Sequence, residues 1–191
     1  TPVGGRRFRG HGVDDPVSDA GWQQMWNAVG DNAPWTRIVT SPMQRCHAFA
    51  NALQQRNDLP VEVEERFREV GLGRWEGLSA DEIMARNEAE YRAFYLDPQR
   101  NRPSGSEPLE SFGGRVAEAL ESVFRNCSGE HVLVIAHAGV IRAALGHVLR
   151  AEAVAWYRAR VDNASFTRFV SGSYGCKLEF HNRTHLPDMR G

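Results

Sequence analysis

The sequence predicts an α/β domain, layered, with a mostly parallel sheet and helices on both of its faces. Three observations carry this expectation. The run Val132-Leu133-Val134-Ile135 is four consecutive apolar residues, two of them valine, which suits a short buried strand of a parallel sheet. It passes through small residues into Val140, Ile141, Ala144, Leu145, Val148 and Leu149, which recur at helical spacing. Strand-like and helix-like segments also alternate along most of the chain, the pattern of strands covered by crossing helices.

From the amino terminus, residues 1–15 are rich in Gly and Arg and carry no periodicity, so they read as a basic loop. Both a solvated surface loop and an anion-binding loop fit it. Ser18 is placed to cap a helix carrying Trp22, Met25, Trp26 and Val29 on its core face, and Gly30 to stop it. Arg37-Ile38-Val39-Thr40 reads as a second strand. Ser41 follows as an N-cap and Pro42 as the first residue of a helix whose buried face is Met43, Cys46, Phe49, Ala50 and Leu53.

Val61-Glu62-Val63 alternates and suits a strand near an edge. The loop from Phe67 to Gly77, with three glycines and a tryptophan among charged residues, is structured rather than a linker. Ser79 and Glu82 have capping-box spacing and open a helix towards Phe94. After a Pro/Gly/Arg-rich excursion from Asp97 to Pro108, Ser106 is placed to cap a long amphipathic helix through Leu109, Phe112, Val116, Leu120, Val123 and Phe124. A short helical segment, Glu152 to Arg160, precedes two β-like runs, Ser165 to Val170 and Tyr174 to Phe180, joined by Ser171-Gly172-Ser173 as in a hairpin.

At 191 residues the chain suits one domain, taken as 1–191. The composition is ordinary for a globular protein, 41% hydrophobic and 25% charged. A net charge of −1 argues against a dedicated nucleic-acid surface. Cys46, Cys127 and Cys176 are far apart and odd in number, which indicates neither a disulfide framework nor a cysteine zinc site and makes a reducing cytoplasm the expected compartment. No run reaches membrane-spanning length. A homodimer is left open.

Three residues gather if the strands run parallel: Arg45 after the second strand, Glu69 after the third and His137 after the fourth. The carboxyl ends of strands in open α/β sheets bind ligands, and a helix start offers free N–H groups to anions. Arg45 sits in a first helical turn, where a cation opposes the helix dipole unless it faces an anion. Taken singly, each also fits a plain role, His137 as a strand-end histidine and Arg45 as a solvent-facing side chain. Together they suit phosphate: a guanidinium pairs with phosphate oxygens and a carboxyl group exchanges a proton with the leaving oxygen.

These pieces resemble the histidine phosphatase superfamily, the phosphoglycerate mutase-like proteins, and in length its small phosphatases such as α-ribazole phosphatase. The matching segments are Thr40-Ser41-Pro42-Met43-Gln44-Arg45, the loop Glu69 to Gly77, the turn Pro103-Ser104-Gly105-Ser106-Glu107, and His131 to Arg142. The closing strands Asn163 to Thr167 and His181 to Leu186 complete the set. Each is weak alone; the ordered set is specific. The resemblance implies a three-layer sandwich with a mostly parallel central sheet, helices on both faces and an antiparallel edge strand. It implies that His137 hydrogen-bonds the phosphoryl oxygens beside the Ala138 backbone N–H. Arg45 would clamp the transferring phosphoryl group, and Glu69 would protonate the leaving alcohol and then activate water. Arg6, Arg7 and Arg9 are candidates to reach substrate, Arg6 and Arg9 foremost. No metal or cofactor is called for, and the expected partner is a small phosphorylated substrate.

The family's signature is a first strand ending in Arg-His, whose histidine attacks phosphorus. Thr1-Pro2-Val3 resembles the residues immediately after that pair, so the nucleophile is expected just before Thr1, and the 191 residues alone are expected to be inactive or nearly so. His11 is set aside as nucleophile because it precedes Asp14-Asp15-Pro16-Val17-Ser18, which matches the loop after the catalytic strand. Gly105-Ser106-Glu107 stands where Gly-Glu-Ser is usual, and Ala138 where a second glycine is common. The function expected is a phosphomonoesterase acting on a small metabolite through phosphohistidine. Phosphoglycerate mutase-type transfer and a non-catalytic phosphate-binding scaffold are the alternatives. A metal hydrolase built on His181 and His185 is weaker, since no acidic partner lies between them.

Overall fold

The computed structural model describes residues 7–31 and 33–186. Its elements are β1 (Arg7–Phe8), α1 (Asp19–Val29), β2 (Arg37–Thr40), α2 (Gln44–Asn57), β3 (Val61–Val63), β4 (Leu78–Ser79) and α3 (Ala80–Leu96). After these come α4 (Leu109–Asn126), β5 (Val132–Ile135), α5 (Ala138–Leu149), β6 (Phe166–Gly172) and β7 (Gly175–Arg183). Short 3₁₀ turns span Glu65–Phe67, Gly73–Trp75 and Ala153–Arg158.

Three strands form the centre in the order β3-β2-β5, all parallel. Their side chains alternate between two cores, as a pleated strand requires. Ile38, Leu133 and Ile135 face one core with Val29, Phe49 and Leu53 of α1 and α2. Val39, Val132 and Val134 face the other, with Phe112, Val116, Val140 and Ala143 of α4 and α5. Helices therefore cover both faces, and the α/β expectation holds. The antiparallel component is the β6–β7 hairpin, whose strands pair with each other; β1 and β4 form a second small antiparallel pair.

Local signals explain most boundaries. The Ser18 hydroxyl accepts the Gly21 N–H, and Gly30 ends α1 at a φ of 60° that other residues adopt at a cost. Ser79 and Glu82 form the reciprocal capping box. Two helix starts differ from expectation. α2 begins at Gln44 behind Met43, not at Pro42: Met43 is still extended, and the Ser41 Oγ accepts the Met43 N–H ahead of the helix while lying 2.7 Å from His137 Nε2. α4 begins at Leu109 behind Pro108, and the Ser106 hydroxyl is buried with no hydrogen bond among the described residues. The strand expected to be fully buried, β5, is half-buried along its length: it pairs only with β2 among the described residues, and its other edge lines a cavity.

Candidate active site

β2 and β5 run in register, Thr40 opposite Ile135, so the segments that come after them leave the sheet at one rim. His137 is the N-cap of α5 in extended conformation, and its ring is buried, at 7% exposure. The Ser41 Oγ lies 2.7 Å from its Nε2. The Cys46 Sγ sits 3.7 Å from both ring nitrogens and donates towards the Ala136 carbonyl. Burial first, then the Arg45 and Arg115 charges, push the His137 pKa well below the ordinary imidazole value, so the ring is neutral at pH 7.

Arg45 occupies the first turn of α2. Its Nη1 donates to the Val13 carbonyl at 2.9 Å and its Nη2 to the Gly10 carbonyl at 2.8 Å, tying it to the first loop. Asp14 lies 3.7 Å from Nη1. Each terminal nitrogen carries two hydrogens, so the fork keeps donors to spare.

Glu69 lies in the loop after β3, and backbone donors hold its carboxyl group from two sides. Oε1 accepts the Val70 N–H at 2.9 Å and Oε2 accepts the Gly139 N–H at 3.2 Å. Burial raises its pKa, against those two hydrogen bonds and the charges of Arg45 and Arg142, which favour the anion. A side chain at Gly139 would place its Cβ 2.2 Å from Oε1, so glycine is what lets α5 approach the carboxylate. The loop itself hangs from Arg115 of α4. That guanidinium pairs with Glu107 at 2.7 and 2.8 Å and donates to the Arg66, Arg68 and Glu69 carbonyls, while Glu107 accepts the Gly71 N–H.

Arg45, Glu69, His137 and Ala138 line one cavity of about 660 Å³. Arg9 lines it too, with Nε held 3.1 Å from Asp15. Arg7 also borders it but pairs with Glu82 at the start of α3 and the Gly77 carbonyl. Arg6 lies outside the described residues. Tyr95, Arg142 and Tyr157 form another part of the wall, with the Arg142 guanidinium 5.5 Å from the Tyr157 ring centre. His11 is not in the cavity wall; its Nδ1 lies 3.1 Å from the Glu69 carbonyl, under the loop. Sequence reasoning missed Ser41 and Cys46, which meet His137 from 96 and 91 positions away, and the Arg115–Glu107 pair, whose spacing of eight carries no periodic signal.

No group of three or more His, Cys, Asp or Glu residues among the described residues could hold a metal ion. His181, one of the pair weighed as zinc ligands, has its nitrogens against Thr167 Oγ1 and the Arg160 carbonyl, both at 2.8 Å. No helix among the described residues is long and apolar enough to cross a membrane. The rim thus presents a carboxyl group biased towards its protonated form, a neutral imidazole, a guanidinium fork and a helix start. Such a set can receive a phosphoryl group and hand a proton to the oxygen that leaves.

The family model described as "Histidine phosphatase superfamily (branch 1)" matches residues 3–184. A bifunctional protein of Mycobacterium tuberculosis is 29% identical over 165 residues, 85% of this chain and 45% of its own length. The chain therefore spans less than half of that relative. The adenosylcobalamin/alpha-ribazole phosphatase of Salmonella typhimurium is 22% identical over 138 residues, covering 71% of this chain and 67% of that protein. Among solved structures, a mycobacterial glucosyl-3-phosphoglycerate phosphatase superposes with a TM-score of 0.79 at 25% identity, over 93% of this chain and 91% of its own.

Proposed function

This chain belongs to the histidine phosphatase superfamily, and from that premise we propose that it is a phosphomonoesterase, hydrolysing a small phosphorylated metabolite through a phosphohistidine intermediate without a metal. The observation that carries the reading is the joint placement of Arg45, Glu69 and His137 on one cavity, with Glu69 held by the first turn of the helix that His137 caps. In the reaction, Arg45 and the neutral His137 ring bind the equatorial phosphoryl oxygens, with the Ala138 N–H beside them. Protein groups here mainly position the phosphoryl group and stabilise its charge.

A histidine nucleophile attacks phosphorus as Glu69 gives its proton to the leaving alkoxide. Glu69, now a carboxylate, takes a proton from water, which attacks the phosphohistidine and releases inorganic phosphate and free histidine. The nucleophile belongs, in this proposal, to a strand preceding Thr1 that pairs with β5. Support comes from the edge of β5 that has no partner among the described residues: Leu133 to Ala136 line the cavity, and Asn163, Ala164, Ser165 and Phe166 line it as well. A strand adds at about 4.8 Å from its neighbour and would satisfy the open backbone groups of β5. Of the first-loop arginines among the described residues, Arg9 and Arg7 both line the cavity, and Arg9, not drawn to Glu82 as Arg7 is, is the one assigned to substrate. Action in the cytoplasm suits cysteines that form no disulfide with one another.

The test is phosphate release by the full-length protein from a panel of phosphomonoesters including α-ribazole phosphate, sugar phosphates and an aryl phosphate. Turnover of at least one, lost in His137→Ala and Arg45→Ala, supports the reading. Phosphate binding without turnover of any overturns it in favour of a scaffold, and phosphate exchange between two positions of one substrate, faster than release, in favour of a mutase.

A further inference from the structure

We propose that Ser41 is a positioning residue that sets the tautomer of His137: its hydroxyl donates to Nε2, which leaves the ring proton on Nδ1 as the donor presented to a phosphoryl oxygen. The inference rests on the phosphatase reading for its catalytic consequence, but the tautomer itself follows from hydrogen-bond accounting at a buried site.

Ser41 is fully buried, at 0% exposure, so its hydroxyl must find partners within the protein. Among the described residues, two groups lie within hydrogen-bonding distance of its Oγ. The Met43 backbone N–H, at 3.3 Å, can only donate, and so occupies a lone pair of Oγ. The hydroxyl hydrogen then has one acceptor left, Nε2 of His137 at 2.7 Å. A neutral imidazole that accepts at Nε2 carries its proton at Nδ1. Cys46 does not consume that proton. Its sulfur is equidistant from the two ring nitrogens, at 3.7 Å, so it lies on the plane that bisects them, and neither N–H direction points at it. The thiol hydrogen goes instead to the Ala136 carbonyl at 3.4 Å. Among the described residues the Nδ1–H is therefore left for a ligand, on a residue that lines the cavity.

The device also ties two strand ends together. Ser41 follows β2 and His137 follows β5, so a single hydrogen bond fixes both the protonation pattern and the orientation of the ring across the sheet. The oxygen that donates to His137 also accepts the Met43 N–H, and α2 begins behind Met43.

The test is a long-range 1H–15N correlation spectrum of the full-length protein, labelled with 15N-histidine, at neutral pH, with the His137 signals identified by their loss in His137→Gln. The expected result is a pyrrole-like Nδ1 and a pyridine-like Nε2 in the wild type. In Ser41→Ala the proton should redistribute towards Nε2, with kcat lower by about 10–100-fold, the range over which supporting hydrogen-bond partners act on functional histidines in metal sites. A pyrrole-like Nε2 in the wild type would overturn the inference, and so would the same tautomer in wild type and Ser41→Ala. The wild-type spectrum needs neither turnover nor a variant. If no phosphomonoester is hydrolysed while Nδ1 carries the proton, the functional reading fails and the tautomer assignment stands.

Discussion

The Glu69 carboxylate and the Gly139 backbone are joined by a hydrogen bond of 3.2 Å, which fastens the loop after β3 to the first turn of α5. Because His137 caps that same helix, the residue proposed to move protons and the residue proposed to bind the phosphoryl group share one mount. Their relative position is set by backbone, which moves less than side chains. This geometry makes the site sensitive to small changes at α5.

Gly139→Ala tests that sensitivity. The added Cβ would stand 2.2 Å from Glu69 Oε1, so the carboxyl group must move by about an ångström. Misplacement of that size costs about 100-fold in rate. The helix itself tolerates alanine at a non-strained position. We expect kcat to fall about 100-fold while circular dichroism and the melting curve keep a single cooperative transition; unchanged kcat would detach Glu69 from the chemistry.

Glu69→Gln removes the proton donor and keeps the shape. General acid catalysis contributes about 10²–10⁴-fold, so turnover of an alkyl phosphate should fall in that range while an aryl phosphate with a good leaving group loses far less. The pH dependence has a definite sign. Burial holds the Glu69 pKa above the usual carboxyl range, and the group acts as an acid only while protonated. Rates of the alkyl substrate should therefore hold below that raised pKa and decline above it. Profiles of kcat/KM for wild type and Glu69→Gln check this, because the decline should vanish in the variant.

Arg115→Ala addresses the scaffold beneath Glu69. Both members of the Arg115–Glu107 pair have side chains only 13% exposed, and breaking a buried pair by removing one partner costs about 3–5 kcal/mol. Burial raises the Glu107 pKa, but the hydrogen bond and charge of Arg115 outweigh it, and the net shift is downward. A depressed carboxyl pKa gives stability that is full above the unfolded value of about 4.3 and is lost as pH falls through the folded value. Denaturant midpoints measured from pH 7 to pH 3 should show the wild type losing this contribution on acidification. Arg115→Ala, already less stable at pH 7, should lose less over the same range.

A chelator should leave activity unchanged, since every proposed role falls to a protein side chain. Dialysis of the full-length protein against EDTA, followed by the phosphatase assay, checks this; restoration of a lost rate by added divalent metal would contradict the mechanism.

Much of the site was legible in the sequence because it obeys one topological rule. Arg45, Glu69 and His137 each come just after a strand candidate, and parallel strands bring such positions to one rim. The fold class was legible for a related reason: short apolar runs alternate with helical spacing, and the two cores separate as the pleat dictates. The contact of Ser41 with His137 was not legible, because Ser-Pro reads as a helix start and the histidine lies 96 positions away. Ser106 also departs from its expected role, but for another reason: Pro108, two residues on, is the N-cap of α4, and the Ser106 hydroxyl has no hydrogen bond among the described residues. The Glu107–Arg115 pair left no trace, because a spacing of eight across the start of a helix carries no periodic signature.

The central claim is hydrolysis through phosphohistidine, and trapping the intermediate tests it most directly. Full-length protein quenched within its first turnovers of an aryl phosphate, digested under alkaline conditions and analysed by mass spectrometry should carry one phosphoryl group on a histidine preceding Thr1. That group should be acid-labile and should be lost on chase with water. Sustained turnover with no histidine phosphorylated, or with the phosphoryl group on a serine, cysteine or aspartate, would contradict the account.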